Sequence, residues 1–91
     1  IIKTKPSKGI RYIVPHEVRV NNLEDSLNML MRVDNVYKDV KMVVKADGRI
    51  IKKIIKKYLA PSEMERIRIQ LDDLKNKEIS VISVEIEREE K

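Results

Sequence analysis

Residues 40–50 (VKMVVKADGRI) alternate apolar side chains with lysines up to an Asp-Gly pair, beyond which the apolar residues resume. Alternation of this kind is typical of a half-buried β-strand, and Asp-Gly between two such runs favours a β-hairpin. Glycine adopts positive φ without steric cost, so the reversal is predicted at Asp47 and Gly48. The inward side chains of the first strand are then Val40, Met42, Val44 and Ala46, and its outward lysines are Lys41 and Lys45.

Three further segments have strand-like patterns. Residues 9–20 are interrupted at Pro15, which predicts an edge strand broken by a proline. Residues 27–33 alternate apolar and polar positions between two turns, at residues 21–25 and 34–35. Near the end, the apolar positions change parity between Val81 and Ile82, and this change predicts a strand with a β-bulge there.

Two segments are compatible with either a helix or a strand. Residues 50–59 place their apolar side chains on one half of a helix, yet they follow the hairpin turn directly and are rich in β-branched residues. Residues 62–74 combine capping-box spacing at Ser62 and Glu65 with strand-like alternation at Ile67 and Ile69. If these segments are strands, the chain is an all-β sandwich of about seven short strands. If they are amphipathic helices at 50–59 and 62–74, it is an α+β domain.

The chain has 91 residues, a length that fits one small domain. We predict a linker or frayed lead-in at residues 1–8, a single domain at 9–87 and a charged tail at 88–91. Because the chain starts with two isoleucines and no methionine, we expect a fragment or a processed chain. No stretch approaches the roughly 20 apolar residues of a membrane span, and no signal-peptide pattern is present, so a cytoplasmic location is predicted.

The composition leaves few options for catalysis. Cysteine is absent, which excludes disulfides, thiolate chemistry and cysteine-ligated metals. His16 is the only histidine and stands beside Glu17, but the local pattern offers no nucleophile for such a pair to activate. The acidic pairs at residues 24–25 and 72–73 lack the alternating oxygen ligands and turn glycine of a calcium loop, so they are interpreted as turn residues. No catalytic, cofactor-binding or metal-binding residue is predicted.

Positive charge offers the one candidate contact site. Residues 1–60 contain 14 Lys and Arg against 6 Asp and Glu, whereas residues 61–91 contain 6 against 9. The densest cluster, here called the basic row, consists of Arg49, Lys52, Lys53, Lys56 and Lys57. Such a row could contact an acidic protein partner, nucleic acid or a membrane surface. The favoured interpretation of the row itself is a solvated lysine row that protects the edge of a sheet. The chain has no Phe or Trp and only three Tyr, so it has few aromatic side chains on which nucleic-acid bases could stack. Nucleic acid is therefore the less favoured partner.

A resemblance to a known family rests on three segments: residues 9–15 (GIRYIVP), 31–41 (MRVDNVYKDVK) and 59–67 (LAPSEMERI). Together they resemble the C-terminal extension of bacterial FAD-dependent oxidoreductases of the pyridine nucleotide-disulfide family. The likeness covers most of residues 9–71. It implies an immunoglobulin-like, all-β accessory domain on a flavoenzyme, which would make the two ambiguous segments strands. With this resemblance, the prediction is an antiparallel β-sandwich of about seven short strands, and the α+β domain is the alternative.

The resemblance also implies where the flavoenzyme chemistry would reside. FAD and NAD(P) would bind upstream in the parent, because this chain has no Gly-x-Gly-x-x-Gly loop and only two glycines, Gly9 and Gly48. No functional residue of the family carries over to a position here. The leading hypothesis is a noncatalytic domain that packs against the parent's catalytic domains or mediates assembly, including a homo-oligomer. The alternative is a stand-alone basic module that binds nucleic acid or an acidic protein through the basic row.

Overall fold

The computed structural model of the chain describes residues 1–74 and 78–88. Its strands are β1 (Ile2–Pro6), β2 (Ile10–Val14), β3 (Glu17–Val18), β4 (Ser26–Val33), β5 (Tyr37–Ala46), β6 (Arg49–Leu59), β7 (Glu65–Gln70) and β8 (Val81–Arg88). Short 3-10 turns occupy Val20–Asn22 and Leu71–Asp73. The all-β prediction is confirmed. The α+β alternative is wrong, since residues 50–59 lie within β6 and residues 65–70 form β7.

The strands form two sheets. One has five strands in the order β3-β1-β8-β5-β6, and the other has three in the order β2-β4-β7. All neighbouring strands are antiparallel except β1 and β8, which run parallel with Lys3 opposite Val81 and Pro6 opposite Val84. The predicted antiparallel sandwich thus contains one parallel pair. A parallel pair requires a long crossover, and here nearly the whole domain lies between the two strands.

The core lies between the two sheets and follows the predicted alternation. On β4 and β5 the buried residues that face the core recur at every second position: Leu27, Met29, Met31, Val33, Val40, Met42, Val44 and Ala46. Ile67 and Ile69 from β7 and Ile82 and Val84 from β8 complete the layer. Each buried Val, Leu, Ile or Met side chain contributes about 1.5–3 kcal/mol by leaving water. The pairing of β5 with β6 confirms the predicted hairpin.

The hairpin turn also anchors β8. Asp47 and Gly48 both have positive φ, 49° and 86°, as a type I′ turn requires. The Asp47 carboxylate accepts hydrogen bonds from the backbone N–H groups of Ser80 and Val81 at 3.0–3.3 Å. The Asp47 N–H in turn donates to the Val81 carbonyl at 2.9 Å. Asp47 therefore shapes the turn and fixes the start of the last strand.

The N-terminal residues belong to the sheet. The prediction that residues 1–8 are a linker or frayed lead-in is corrected, because β1 pairs with both β3 and β8 and Ile2 is buried. The exposed residues Lys3 and Lys5 alternate with the less exposed Ile2 and Thr4. The polar residues that suggested a linker are therefore the solvent-facing side of a short strand. Of the predicted tail, Arg88 ends β8, and residues 89–91 lie outside the described residues.

Pro15 separates two strands of different sheets. The predicted single edge strand is instead β2, at an edge of the three-stranded sheet, and β3, at an edge of the five-stranded sheet. A register shift between Ile10 and Tyr12 also changes which residues face the core, so that Ile10 and Ile13 are buried. The chain thus uses a proline corner to pass from one layer of the sandwich to the other.

The predicted bulge at Val81 and Ile82 is wrong. β8 begins at Val81, and its register with β5 is continuous from Ile82 opposite Ala46 to Arg88 opposite Val40. Ile79 does not follow the in-and-out alternation of β8 because it lies before the strand. The contacts with Asp47 align the backbone only from Ser80 onward. A bulge does occur in the hairpin, where Val44 pairs with Lys52 but Lys45 pairs with Ile50.

The turn between β1 and β2 packs closely on β8. The N–H of Ser7 donates to the Val84 carbonyl at 2.9 Å, and the N–H of Ile86 donates to the Lys8 carbonyl at 2.7 Å. Gly9 has a φ of 83°, and a Cβ built there would lie 2.6 Å from Ile86 Cγ1. Glycine is thus required at this position by both its conformation and its surroundings.

Candidate functional site at the edge strand

The basic row lies on β6, the longest strand and an edge of the five-stranded sheet. Lys52 and Ile54 pair with the core residues Val44 and Met42 and therefore face the same side as the core. Lys53 is paired with Val43 and points to the opposite side. The basic row does not form one face, as a helix would have made it, but is divided between two.

The lysines on the inner side connect the two sheets. Lys52 Nζ donates to the backbone carbonyl of Arg68 at 2.8 Å, and Lys56 Nζ lies 3.1 Å from Glu65 Oε1. Arg68 and Glu65 belong to β7, an edge strand of the three-stranded sheet. Exposed contacts of this kind contribute about 0.2–1 kcal/mol each. Lys52 and Lys56 thus have a structural role on the open side of the sandwich.

The outer side of β6 carries Lys53, Ile55 and Lys57, here called the outer triad. All three are exposed, Ile55 to 67%. Neither Lys53 nor Lys57 forms an ion pair with any residue that the structure describes. The outer triad is therefore a surface on which two cations flank an apolar side chain and are not neutralised by the described part of the domain.

The outer triad adjoins a buried residue on the outer side of β5. Val43 points to the outer side yet is fully buried, and it does not belong to the central core cluster. Its neighbours on the adjacent strands are Lys53 and Glu85. Glu85 forms an ion pair with Lys45. The alternation along residues 40–46 places Val43 on the outward side. Whether an outward residue is buried depends on the strands beside it, and the local sequence does not specify those strands.

Arg49 lies apart from the lysines, at the turn end of β6. It lines a cleft of about 460 Å³ with Ala46, Asp47, Ile51, Glu78 and Ile79. Among these lining residues, only the Asp47 side chain forms hydrogen bonds within the described part of the chain. Those bonds hold the start of β8. The sequence did not indicate this cleft, because its walls come from the hairpin and from residues about 30 positions later.

The structure does not bring the other candidate residues together. His16 and Glu17 are exposed, and the His16 carbonyl accepts a hydrogen bond from the Thr4 N–H at 2.9 Å. Asp25 Oδ2 lies 3.7 Å from Arg68 Nη2. The acidic pair at 72–73 is exposed in a 3-10 turn. In residues 1–74 and 78–88, no group of three or more His, Asp or Glu side chains is placed to hold a metal ion.

Among the residues that the structure describes, two titratable groups have a shifted pKa, and both shifts are caused by carboxylates. The hydroxyl of Tyr37 donates to Asp34 Oδ1, and this hydrogen bond, with partial burial and the negative charge of Asp34, raises the pKa of Tyr37. The hydrogen bond and charge of Glu85 raise the pKa of Lys45. The Tyr37 contact ties β5 to the turn that precedes it.

Comparison with known proteins gives no relative: no protein-family model, curated protein or solved structure matches the chain.

The described residues contain no helix with the length and apolar character needed to cross a membrane.

Proposed function

We propose that this chain is a noncatalytic accessory domain whose contact surface is the β6 edge. The observation that carries the proposal is that Ile50, Ile55 and Tyr58, each at least 50% exposed, all lie on this one edge strand. Apolar side chains grouped on a sheet edge mark a surface for protein contact, and leaving them in water favours aggregation.

The partner in this proposal is the catalytic body of a parent FAD-dependent oxidoreductase of the pyridine nucleotide-disulfide family. The support is the resemblance of residues 9–15, 31–41 and 59–67, together with the all-β sandwich, which agrees with what that resemblance implies. FAD and NAD(P) would bind in the parent upstream of Ile1. The parent would be cytoplasmic, and the domain would serve packing or assembly, including a homo-oligomer.

The test is to express the natural reading frame that encodes these residues, with and without them. We expect the longer product to contain FAD, and we expect removal of residues 1–91 to leave the flavin bound while it lowers thermal stability or changes the oligomeric state. The isolated chain should bind neither FAD nor NADPH in calorimetric titration. A reading frame without a dinucleotide-binding fingerprint, or flavin binding by the isolated chain, would contradict the proposal.

The contact surface is tested within the same protein. Replacing Ile50 and Ile55 with serine should weaken association with the catalytic body, since exposed side chains stabilise the isolated domain little but contribute when an interface covers them. Met64→Ser is the matched control, because Met64 is 43% exposed and lies outside β6. Equal effects of both changes on assembly would argue against β6 as the interface.

A second candidate function is supported by the outer triad. Lys53 and Lys57 have no ion-pair partner in the described residues, so they are available to an acidic protein or to nucleic acid. Affinity for duplex DNA would fall with salt, with a log–log slope of about −0.9 per phosphate contacted. A slope steeper than about −3 that is removed by changing the four β6 lysines to glutamine would favour nucleic acid over the accessory role.

A further inference from the structure

The six residues at the centre of β6 have a symmetric sequence. Residues 52–57 read KKIIKK, which on a strand gives Lys-Ile-Lys on each side. The inner set is Lys52, Ile54 and Lys56, and the outer set is the outer triad. Because Lys52 and Lys56 already contact β7, only the outer triad has its charges uncommitted within the described residues.

The backbone of β6 is open to an additional strand. Its only strand neighbour in the described part of the chain is β5, so its second row of N–H and C=O groups is not part of a ladder. Among the described residues, no backbone hydrogen bond outside the sheet ladders involves a residue of β6. An extended segment can bind such an edge through main-chain hydrogen bonds, and the side chains beside the edge then select its sequence.

Charge decides which segment fits. Antiparallel pairing of two β6 edges, centred on the isoleucines, would place lysine opposite lysine, and like charges directly opposite are destabilising. This arrangement disfavours a second copy. Opposite charges and apolar pairs across two strands are favourable, so the complement of the outer triad is an acidic residue, an apolar residue and an acidic residue at alternate positions.

We propose that β6 binds an extended segment of a partner protein with the pattern acidic-x-apolar-x-acidic, added as a sixth strand to the five-stranded sheet. The acidic side chains would pair with Lys53 and Lys57, and the apolar side chain would cover Ile55. The inference rests on β6 being the contact surface proposed above and does not depend on a flavoenzyme parent. The binding test below uses only this chain and a peptide, so it can fail independently of the parent assignment.

The experiment measures the fluorescence anisotropy of a labelled, end-capped peptide containing Glu-Thr-Ile-Thr-Glu, titrated with the 91-residue chain. We expect saturable binding that weakens as salt is added, because salt screens exposed charge pairs. The double variant Lys53→Glu, Lys57→Glu should lose at least about tenfold in affinity, since two attractive cross-strand pairs become repulsive. That variant should in turn bind a peptide containing Lys-Thr-Ile-Thr-Lys.

The matched control is Lys3→Glu with Lys5→Glu. These lysines are also exposed and on one side of a strand, and the net charge changes equally, but β1 is enclosed by β3 and β8. The control should lose less than about threefold, the effect expected of distant screened charges. Circular dichroism establishes that both variants are folded.

Three results would overturn the proposal. Equal losses in both double variants would reduce the binding to net charge. Undiminished binding of a peptide whose backbone nitrogens are methylated at alternate positions would exclude strand addition. Comparable affinity for a single-stranded oligonucleotide, lost with the same two lysines, would assign the surface to nucleic acid.

Discussion

Replacing Gly9 with alanine tests how tightly the β1–β2 turn is packed. The substitution imposes a left-handed conformation on a residue with a Cβ, which costs about 1–2 kcal/mol. The new Cβ would also lie 2.6 Å from Ile86 Cγ1 and 2.8 Å from Ile86 Cβ. A rotamer change moves only the first of these atoms, so backbone must shift, and overpacking of this kind costs about 1–3 kcal/mol. The expected loss is about 2–5 kcal/mol.

Gly48 provides the matched control. Its φ of 86° is nearly the same as the 83° of Gly9, but a Cβ at Gly48 meets no atom within 4 Å. Gly48→Ala should therefore cost only the conformational part, about 1–2 kcal/mol. The difference between the two variants isolates the steric contact with β8.

Urea denaturation followed by circular dichroism measures the free energy of unfolding of both variants. In thermal denaturation, each 1 kcal/mol of lost stability should lower the melting temperature by about 4–8 °C. A double-mutant cycle with Ile86→Ala adds a second criterion. In that background Gly9→Ala should cost less, by about 0.5–2 kcal/mol, because Cγ1 is gone while the Cβ contact remains. Equal losses for the two glycines, or strict additivity with Ile86→Ala, would refute the packing argument.

Three further changes test other contacts. Met42→Asp should destabilise the domain by several kcal/mol in urea denaturation because it buries an unpaired charge, whereas Met42→Leu should cost less than about 1.5 kcal/mol. Asp47→Ala should cost about 1–3 kcal/mol by removing the acceptor for two backbone N–H groups, and Asp47→Asn should cost less because it keeps one oxygen and suits the turn. In ultraviolet titration, Asp34→Asn should lower the pKa of Tyr37 towards 10. Since the pKa of Tyr37 is raised in the folded protein, its contribution to stability should be complete below pH 10 and be lost as the pH rises through the folded-state pKa.

The sequence predicted the elements whose signals are local. The hairpin at Asp47 and Gly48 depends on turn chemistry and on alternation in adjacent residues, and both are visible in a short window. Residues 50–59 stayed ambiguous because their isoleucine pairs repeat every four residues. In a helix this spacing puts the isoleucines on one face, and in a strand it puts an alternation of isoleucine and lysine on each side. Pairing with β5 resolved the ambiguity, and that contact is tertiary.

Features that depend on distant partners could not be read from the sequence. The pattern around Pro15 does not show that β2 and β3 belong to different sheets. For the candidate site, the sequence identified the cations of β6 but not their division between two sides. That division, and the contact of Lys52 with Arg68, follow from strand register and from the neighbouring edge of the other sheet.

The parallel alignment of β1 and β8 gives the domain a mechanical polarity. β1 begins at Ile2 and β8 ends at Arg88, at opposite ends of the same strand pair, about 26 Å apart along the strand direction. A pulling force applied between these two points acts along the strands in opposite directions. It therefore loads the hydrogen bonds between β1 and β8 together, in shear, whereas an antiparallel pair pulled from one end would open one bond at a time.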